Sequence, residues 1–556
     1  MKKYQVFKRA LACVLVVLMT VTAVPMSGFV GLYLKFFATN RVNSAEVLKT
    51  GSCGDNVTYT LFTSGKLVLS GKGKMKKYAL EKSPFYNNKN IKSVVIENGI
   101  TNISEGMFYN CPNITSVRLS GSVKTIEDWA FYLCKKLTDV VLPEGLESVG
   151  EIAFAECNIK RLNIPKTLTN IHSRAFESND IVSYTVAKNH PYYLSDNNGV
   201  IFNRSKTTIV KYPAGKETSA YVIPKGVESI GDHAFSGSSF IEKITIPDSV
   251  TYLGNYAFSS CIKLKNITIP SSIRTISDHA FAWCYALKDV IIKNGVRTIE
   301  AGAFYYCKSV VEFSLPDTIM TIGSEAFACC EKLEIIRFGS KLSRIDKSVF
   351  SFCYRLNTIE VSVDNQAYSS CDGILYDKEK TKIIFIPIRI RGELTIPASI
   401  KEINHSTFQN YNGITGLNIE KDNKNYKSVD GVVYSKDGKK VIICPAGKPG
   451  SVKIASGTEC VGNYAFYCCR NLTDIIIPDS VVNLENYAFS GCEGLRKIII
   501  PDSVTKMGKG VLSGCDSLLY AKLSKNIKSY VSTFDFCSCL EVVEFPEGTT
   551  EIGKRC

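Results

Sequence analysis

Residues Phe258–Ala280 read FSSCIKLKNITIPSSIRTISDHA, and Phe281–Ala303, directly after them, read FAWCYALKDVIIKNGVRTIEAGA. Aligned on the first residue they follow, with Lys293 at the Pro position of the second and Ser277 and Glu300 at the Gly position, the repeat pattern F-x-x-C-x-x-L-x-x-(I/V)-x-(I/L)-P-x-(S/G)-(V/I)-x-x-(I/L)-G-x-x-A, a unit of 23 residues. Within it, Leu264, Ile267 and Ile269 put three apolar side chains on one side, the last two at the strand period of two. Pro270 follows, where no ladder donor is needed. Ser272 and Ile273 begin a return, Ile276 points inward again, and Ala280 with Phe281 turns the chain, through a short 3₁₀ or irregular helical turn. One such coil cannot bury its own apolar edge. Stacked on copies of itself at the inter-strand spacing of ~4.8 Å, it lays each interior side chain on its equivalent in the next coil. The period therefore predicts a solenoid with files of Leu, Ile and Phe.

Outward from this pair, the Phe anchor recurs at Phe108, Phe131, Phe154, Phe176, Phe235, Phe258, Phe281, Phe304, Phe327, Phe350, Phe408, Phe466 and Phe489. Phe85 fits one period earlier, Leu512 one period later, and Phe534 follows after 22 residues. Three intervals are long: 59 residues from Phe176 to Phe235, and 58 each from Phe350 to Phe408 and from Phe408 to Phe466. Their extra residues, such as YKSVDGVVYSKDGKKVIICPAGK, set two alternating apolar runs around a polar turn at Asn203–Lys206, Asp377–Lys380 or Ser435–Gly438. That is a β-hairpin signal, strongest at Asp437-Gly438. Each long interval reads as an enlarged coil carrying a hairpin, not as a separate domain. Because arrays grow by adding coils, 556 residues do not imply three or four globular domains.

The first 45 residues differ. Met1–Arg9 is basic, Ala10–Val24 is an apolar run, and Pro25 breaks it, as in a secretory signal. Cleavage at Ser27-Gly28 and cleavage after Asn43-Ser44-Ala45 are both open, the second preferred because Phe29–Ala38 is still apolar. An uncleaved anchor over Ala10–Leu34 is the alternative, although Pro25 interrupts it. This leader holds six cations and no acid, so of the formal +15 the rest of the chain carries +9. Such a mild excess suits acidic partners such as anionic glycans but is no nucleic-acid footprint.

Twelve of the 21 cysteines, from Cys111 to Cys537, occupy the F-x-x-C slot. They read as a ladder of small buried hydrophobes. Stacked coils would allow a bridge, but a regular ladder gives each thiol two equal neighbours and no means of choosing one. So many thiols in an exported chain fit a reducing habitat. The five histidines are His172, His190, His233, His279 and His405; His233 and His279 share the slot two before the anchor, which suggests a surface corner. No H-E-x-x-H, G-x-S-x-G or P-loop occurs. Acidic stretches near Asp364, Asp372, Asp422 and Asp430 loosely suggest calcium but lack its ligand spacing, so turn chemistry is the better reading. No catalytic residue, metal or cofactor is expected, and the chain is not expected to be an enzyme.

The I-P-D-S-V stretches at 246–250, 477–481 and 500–504, the I-G-x-x-A-F corners at 230–235 and 322–327, and the F-x-x-C-x-x-L starts resemble the BspA-like (Treponema-type) bacterial leucine-rich-repeat family. So do the D-G-(I/V)-(L/V)-Y inserts at 372–376 and 430–434, and the strand-rich stretch Cys53–Met75. The resemblance covers roughly residues 51–556. It implies a right-handed leucine-rich-repeat coil with a concave parallel β-sheet, short second strands or 3₁₀ turns on the other side, and hairpin-bearing long repeats. The expected organisation is a leader over 1–45, a strand-rich N-terminal cap over 46–84, and a repeat solenoid over 85–556 with long repeats near 176–235, 350–408 and 408–466. By period the next anchor would be residue 557, so the chain is expected to stop mid-repeat. The family also implies surface or secreted proteins, some of them adhesins.

The position between the last two apolar strand residues should line the concave face. In repeat phase it is Arg118, Val141, Asn163, Thr245, Thr268, Ile291, Ser314, Arg337, Glu360, Ile476, Ile499, Lys522 and Glu544. The framework is constant and this row varies, as expected of a recognition surface on a rigid scaffold. Plain solvent-facing drift is the alternative. The candidate binding residues are Arg118, Thr245, Thr268, Ile291, Arg337, Glu360, Ile476, Ile499 and Lys522, with Ile476 and Ile499 forming an apolar pair on neighbouring coils. The expected function is that of an exported cell-surface or secreted protein binding extracellular proteins or glycans, in adhesion to host or neighbouring cells. The alternative is a structural or targeting arm of a larger secreted enzyme. No nucleic-acid partner is expected, and a membrane only through an uncleaved N-terminal segment.

Overall fold

The computed structural model describes residues 46–556 apart from 404–407, 409–412, 528, 531, 550 and 553–556. The leader and His405 lie outside the described residues. Among those described, no helix is long and apolar enough to cross a membrane. The chain divides into two compact units, Met1–Leu146 and Glu147–Cys556.

In the first unit, strands Val47–Gly54, Val57–Phe62 and Lys66–Gly71 form an antiparallel meander. The third strand then runs parallel beside Ser93–Ile96, which continues through Ser116–Arg118 to Asp139–Val141. The strand-rich start thus leads directly into the repeat sheet. Phe85, Phe108 and Phe131 stack with ring centroids 5.2 and 4.9 Å apart.

The second unit shows the repeat at its most regular. Strands Asn266–Ile269 and Asp289–Ile292 pair in parallel and in register, Ile267 beside Val290 and Ile269 beside Ile292. Return strands Thr275–Ile276, Thr298–Ile299, Thr321–Ile322 and Arg344–Ile345 make a second parallel ladder. Between the ladders Leu264, Ile267, Ile269, Ile273, Ile276 and Phe281 are all buried. An aromatic file runs Tyr212, Phe235, Phe258, Phe281, Phe304, Phe327 and Phe350, with successive centroids 4.9 to 6.0 Å apart. Each ring removed from water contributes about 1.5–3 kcal/mol, and only because a neighbouring coil covers it.

The corner is not the 3₁₀ or helical turn that the sequence suggests. It is a run of β-turns in which the residues two before and two after the Phe are left-handed: Tyr256 (φ 54°) and Ser260 (φ 58°), then His279 (φ 51°) and Trp283 (φ 60°). The reason lies in the stack. The N–H groups of Tyr256, Phe258 and Ser260 all donate to the next coil, to the carbonyls of Asp278, Ala280 and Ala282 at 2.8–2.9 Å. A helical turn would aim these donors along the chain. Left-handed backbone costs roughly 1–2 kcal/mol for each such side chain, and the inter-coil bonds and ring stacking offset it.

The cysteine slot does more than fill space. Cys261, Cys284, Cys307 and Cys330 each donate Sγ–H to the carbonyl of the Phe one coil back, at 3.2–3.3 Å. Asn179 stands in the same slot and donates Nδ2–H to the Phe154 carbonyl at 2.7 Å. Burial pushes the Cys284 thiol up to about 12, which keeps it protonated and a donor at neutral pH. The described cysteines are free thiols.

Each long interval resolves into two coils. After Ser183–Val186 comes a three-stranded meander, Tyr193–Ser195, Ile201–Asn203 and Thr208–Lys211, whose last strand pairs in parallel with the return strand Ser229–Ile230. The meander therefore takes the place of a return strand. A second corner follows at Tyr212, 23 residues before Phe235. Tyr212 N–H donates to the Ala234 carbonyl at 2.8 Å, the bond a Phe anchor makes elsewhere. Ile386 and Cys444 hold the matching places, each before a proline. The hairpins at 203–206, 377–380 and 435–438 are the second turn of each meander. The first turn, at Asp372-Gly373 and Asp430-Gly431, is left-handed at both residues, which is why Gly stands second.

Candidate ligand-binding face

Alternation along each principal strand sends every second side chain to solvent. Arg118, Thr245, Thr268, Glu360 and Lys522 are exposed, as are Ile291 (59%), Ile476 (47%) and Ile499 (46%). Strand register brings some of them side by side: Thr268 with Ile291, Arg337 with Glu360, and Ile499 with Lys522. Arg118 belongs to the first unit, between Val95 and Val141. Val222, exposed at 68%, sits beside Thr245 in the same row. Its Y-V-I-P frame signals the position, but it falls inside a long interval and escapes a search by anchor.

The exposed side chains differ in how far their charges are used. Arg337 is half-buried and bridges Glu312 and Glu360, the second through Nε at 2.5 Å. The Glu360 hydrogen bond, with the charges of both carboxylates, holds the guanidinium above its ordinary range. This trio is a self-satisfied surface network, not a free cation.

Open grooves cross the face. One, of about 540 Å³, is lined by Ile476 and Ile499 together with Asp474, Asp479, Asp502, Lys497 and Lys522. Asp502 pairs with Lys525 at 3.1 Å, and Lys497 lies 5.0 Å over the Tyr520 ring. Another, of about 830 Å³, is lined by Ile291 and Val311 together with Lys288, Lys332, Asp289 and Glu312. Ile476 and Ile499 were legible as a pair; Val311, before its strand, was not.

The remaining sequence candidates have structural roles. His233 is buried, not on the surface, and stacks on Tyr256 at 4.9 Å; His279 stacks on the other face of that ring at 4.8 Å. His190 is buried: Nδ1 accepts from the N–H of Tyr192 and Tyr193, and Nε2 lies 2.9 Å from the Leu168 carbonyl. Asn365 and Asn423 make the same ties in the other two hairpin coils. Asp372 and Asp430 are turn residues. Among the described residues, no group of three or more His, Cys, Asp or Glu is placed to hold a metal ion.

The fold and face together define a class: a stacked-coil repeat scaffold with a uniform interior and a varied, solvent-facing strand row. The family described as "BspA type Leucine rich repeat region" matches residues 74–182, 214–307, 274–391 and 451–556, so the chain belongs to that family. No curated protein matches it. Similar solved structures include a leucine-rich repeat protein from Eubacterium ventriosum (18% identity, 84% of this chain and 94% of that one, TM-score 0.36). Others are one from Bacteroides ovatus (20%, 90% and 98%, 0.33) and the pneumococcal vaccine antigen PcpA (16%, 91% and 90%, 0.32). Family membership rests on the repeat pattern matched over those residues.

Proposed function

We propose that this chain is an exported, non-catalytic binding protein that engages extracellular proteins or glycans through its strand face, in adhesion to host matrix or neighbouring cells. One observation carries the reading. From coil to coil the outward strand position changes without rule, as Thr268, Ile291, Ser314, Arg337 and Glu360, while the residues on either side of it stay apolar. A scaffold that needed only solubility would have no use for aliphatic side chains at that position. Ile476 and Ile499 are the place where such side chains adjoin and a groove forms over them. The basic and apolar leader supports export.

The test is capture of the full chain on an array of matrix proteins and cell-surface glycans, beside the Ile476→Asp/Ile499→Asp variant. Captured ligands are expected to be lost at least tenfold in the variant, with the thermal midpoint unchanged because both side chains are exposed. Undiminished capture of every ligand by the variant would overturn the groove as the contact. Retention of the chain in the cytoplasm on fractionation of its source cells would overturn export.

A further inference from the structure

The three hairpin coils share one plan, and the first departs from it in a way that makes a pocket. In each, a glycine carbonyl at the meander's first turn accepts the N–H of the principal strand: Tyr184 to Gly199, Ile359 to Gly373 and Leu417 to Gly431, at 2.9–3.1 Å. A serine hydroxyl then ties the turn to the strand end, Ser195 to Val186, Ser370 to Val361 and Ser428 to Ile419. Between this serine and the glycine stand Cys371-Asp372 and Val429-Asp430 in two coils, but Asp196-Asn197-Asn198 in the first. The longer turn stands against the strand face as a wall.

That wall is fixed. The Asp196 carboxylate accepts the N–H groups of Asn198 and Val200, both at 2.9 Å, so it is engaged within its own turn. Lys216 reaches over and donates Nζ–H to the Asn198 carbonyl at 2.9 Å. Gly199 seats the turn: a Cβ there would lie 2.6 Å from Ser183 Oγ. Beneath, register sets Arg161 beside Ser183 and Asn163 beside Thr185. The result is a cavity of about 580 Å³, in which Val182 is the only aliphatic side chain.

The matching faces of the other two hairpin coils are neutralised. Arg337 pairs with Glu360 in one, and Glu393 accepts from Asn418 at 2.8 Å in the other. Lys216 is replaced by Ile390 in one and matched by Lys448 in the other. In the first coil no carboxylate lines the cavity, and two cations stand among amides and hydroxyls.

We propose that this cavity binds an acidic saccharide, a pyranose bearing a carboxylate or sulfate. Two cations fit one anionic group, and amide and hydroxyl side chains suit the hydroxyls of the same ring. The volume lies in the range of small-ligand sites. An apolar peptide side chain would find almost no apolar wall, and no aromatic ring lines the cavity for a nucleobase to stack on. This deepens the reading of an extracellular binding protein but uses a different part of the face.

The experiment is calorimetric titration of the full chain with N-acetylneuraminic acid, galacturonic acid and a sulfated heparin disaccharide, with lactose and inorganic sulfate as controls. At least one acidic saccharide is expected to bind tenfold or more tighter than lactose and tighter than sulfate alone. Carboxylated and sulfated arms separate the two acid groups. Arg161→Gln, and separately Asn198→Ala with Lys216→Gln, should each weaken that binding tenfold, with melting unchanged. Lys448→Gln, the matching lysine of the third hairpin coil, should leave it alone. Equal binding of lactose, equal binding of sulfate, or full binding by the Arg161→Gln variant overturns the proposal. If that happens while Ile476→Asp/Ile499→Asp still abolishes protein capture, only the saccharide pocket fails and the wider reading stands.

Discussion

The regular coils between Phe235 and Phe350 and the three hairpin coils close the same corner by different means. In a regular coil one Phe fills the corner, and a thiol one turn on satisfies its carbonyl. In a hairpin coil a three-stranded meander replaces the return strand, and the corner falls to Tyr212, Ile386 or Cys444. These side chains differ widely in volume, yet the backbone bond they make is kept, as Tyr212 and Cys444 show by donating to Ala234 and Ala465 at 2.8 and 2.7 Å. At these corners the stack keeps the inter-coil bond whatever the side chain, while the meander takes over part of the burial that the ring supplies in the regular coils from Phe235 to Phe350.

The largest expected effect tests that asymmetry. Phe281 is fully buried and stacked on both sides, at 5.2 Å by Phe258 and at 5.5 Å by Phe304. Phe281→Ala is expected to cost about 3–5 kcal/mol, read as a fall in the denaturation midpoint. Cys444→Ala, at a hairpin corner, should cost about 1 kcal/mol, since one sulfur is removed. Equal losses would mean that the meander shares no burial.

The next prediction concerns the hairpins' own constraint. Gly431 has φ 72°, and a Cβ there would lie 2.9 Å from the Gly416 backbone. Gly431→Ala should destabilise by about 2 kcal/mol through left-handed strain and backbone displacement. In the regular coils, left-handed corner positions already carry Tyr256, His279 and Trp283, so there Ser260→Ala should change the midpoint by under about 0.5 kcal/mol. The contrast separates strain that stacking already offsets from strain that only glycine avoids.

A smaller effect sharpens the role of the thiol. Cys307→Ala removes the donor to the Phe281 carbonyl and one buried sulfur, and is expected to cost about 1–2 kcal/mol. Cys307→Asn should retain most of that stability, because Asn179 makes the equivalent bond in its own coil. If Asn proved no better than Ala, the slot would be one of volume alone.

What the residues disclosed follows from period. Leu264, Ile267, Ile269 and Phe281 recur at fixed spacing because each must meet its own copy, and spacing is visible in a string of letters. The varied row holding Ile291, Ile476 and Ile499 could be read for the same reason, as the gap between fixed positions. The left-handed corner could not, since residues such as Tyr256 and Trp283 have no preference for that backbone and adopt it only under the demand of the stack. The second coil of each long interval hid behind the substitution of Tyr212, Ile386 and Cys444 for Phe. The saccharide pocket was hidden more deeply. Arg161 and Asn198 are 37 positions apart, and only the docking of one turn on one strand brings them together.

Alkaline titration gives the finest test of the comparison, because the thiol ladder is concentrated in the regular coils. Burial raises Cys111, Cys284 and Cys353 to about 12, whereas an unfolded thiol ionises near ~8.5. Above that value the unfolded chain loses these protons first and the native state holds more, so stability must fall as pH rises. The contribution is whole below the unfolded value and is lost progressively toward 12. At one pH unit above the unfolded value the loss is about 1.4 kcal/mol for each such thiol. Denaturation midpoints measured at pH 7.5, 8.5 and 9.5 should therefore decline with a slope that steepens above the middle point. Replacing Cys284, Cys307 and Cys330 together by Asn should flatten that slope while preserving the midpoint at pH 7.5, since the donor remains and the ionisation does not. A slope equally steep in the triple variant would mean that the alkaline loss arises elsewhere, for instance at buried tyrosines such as Tyr530, which burial raises to about 12.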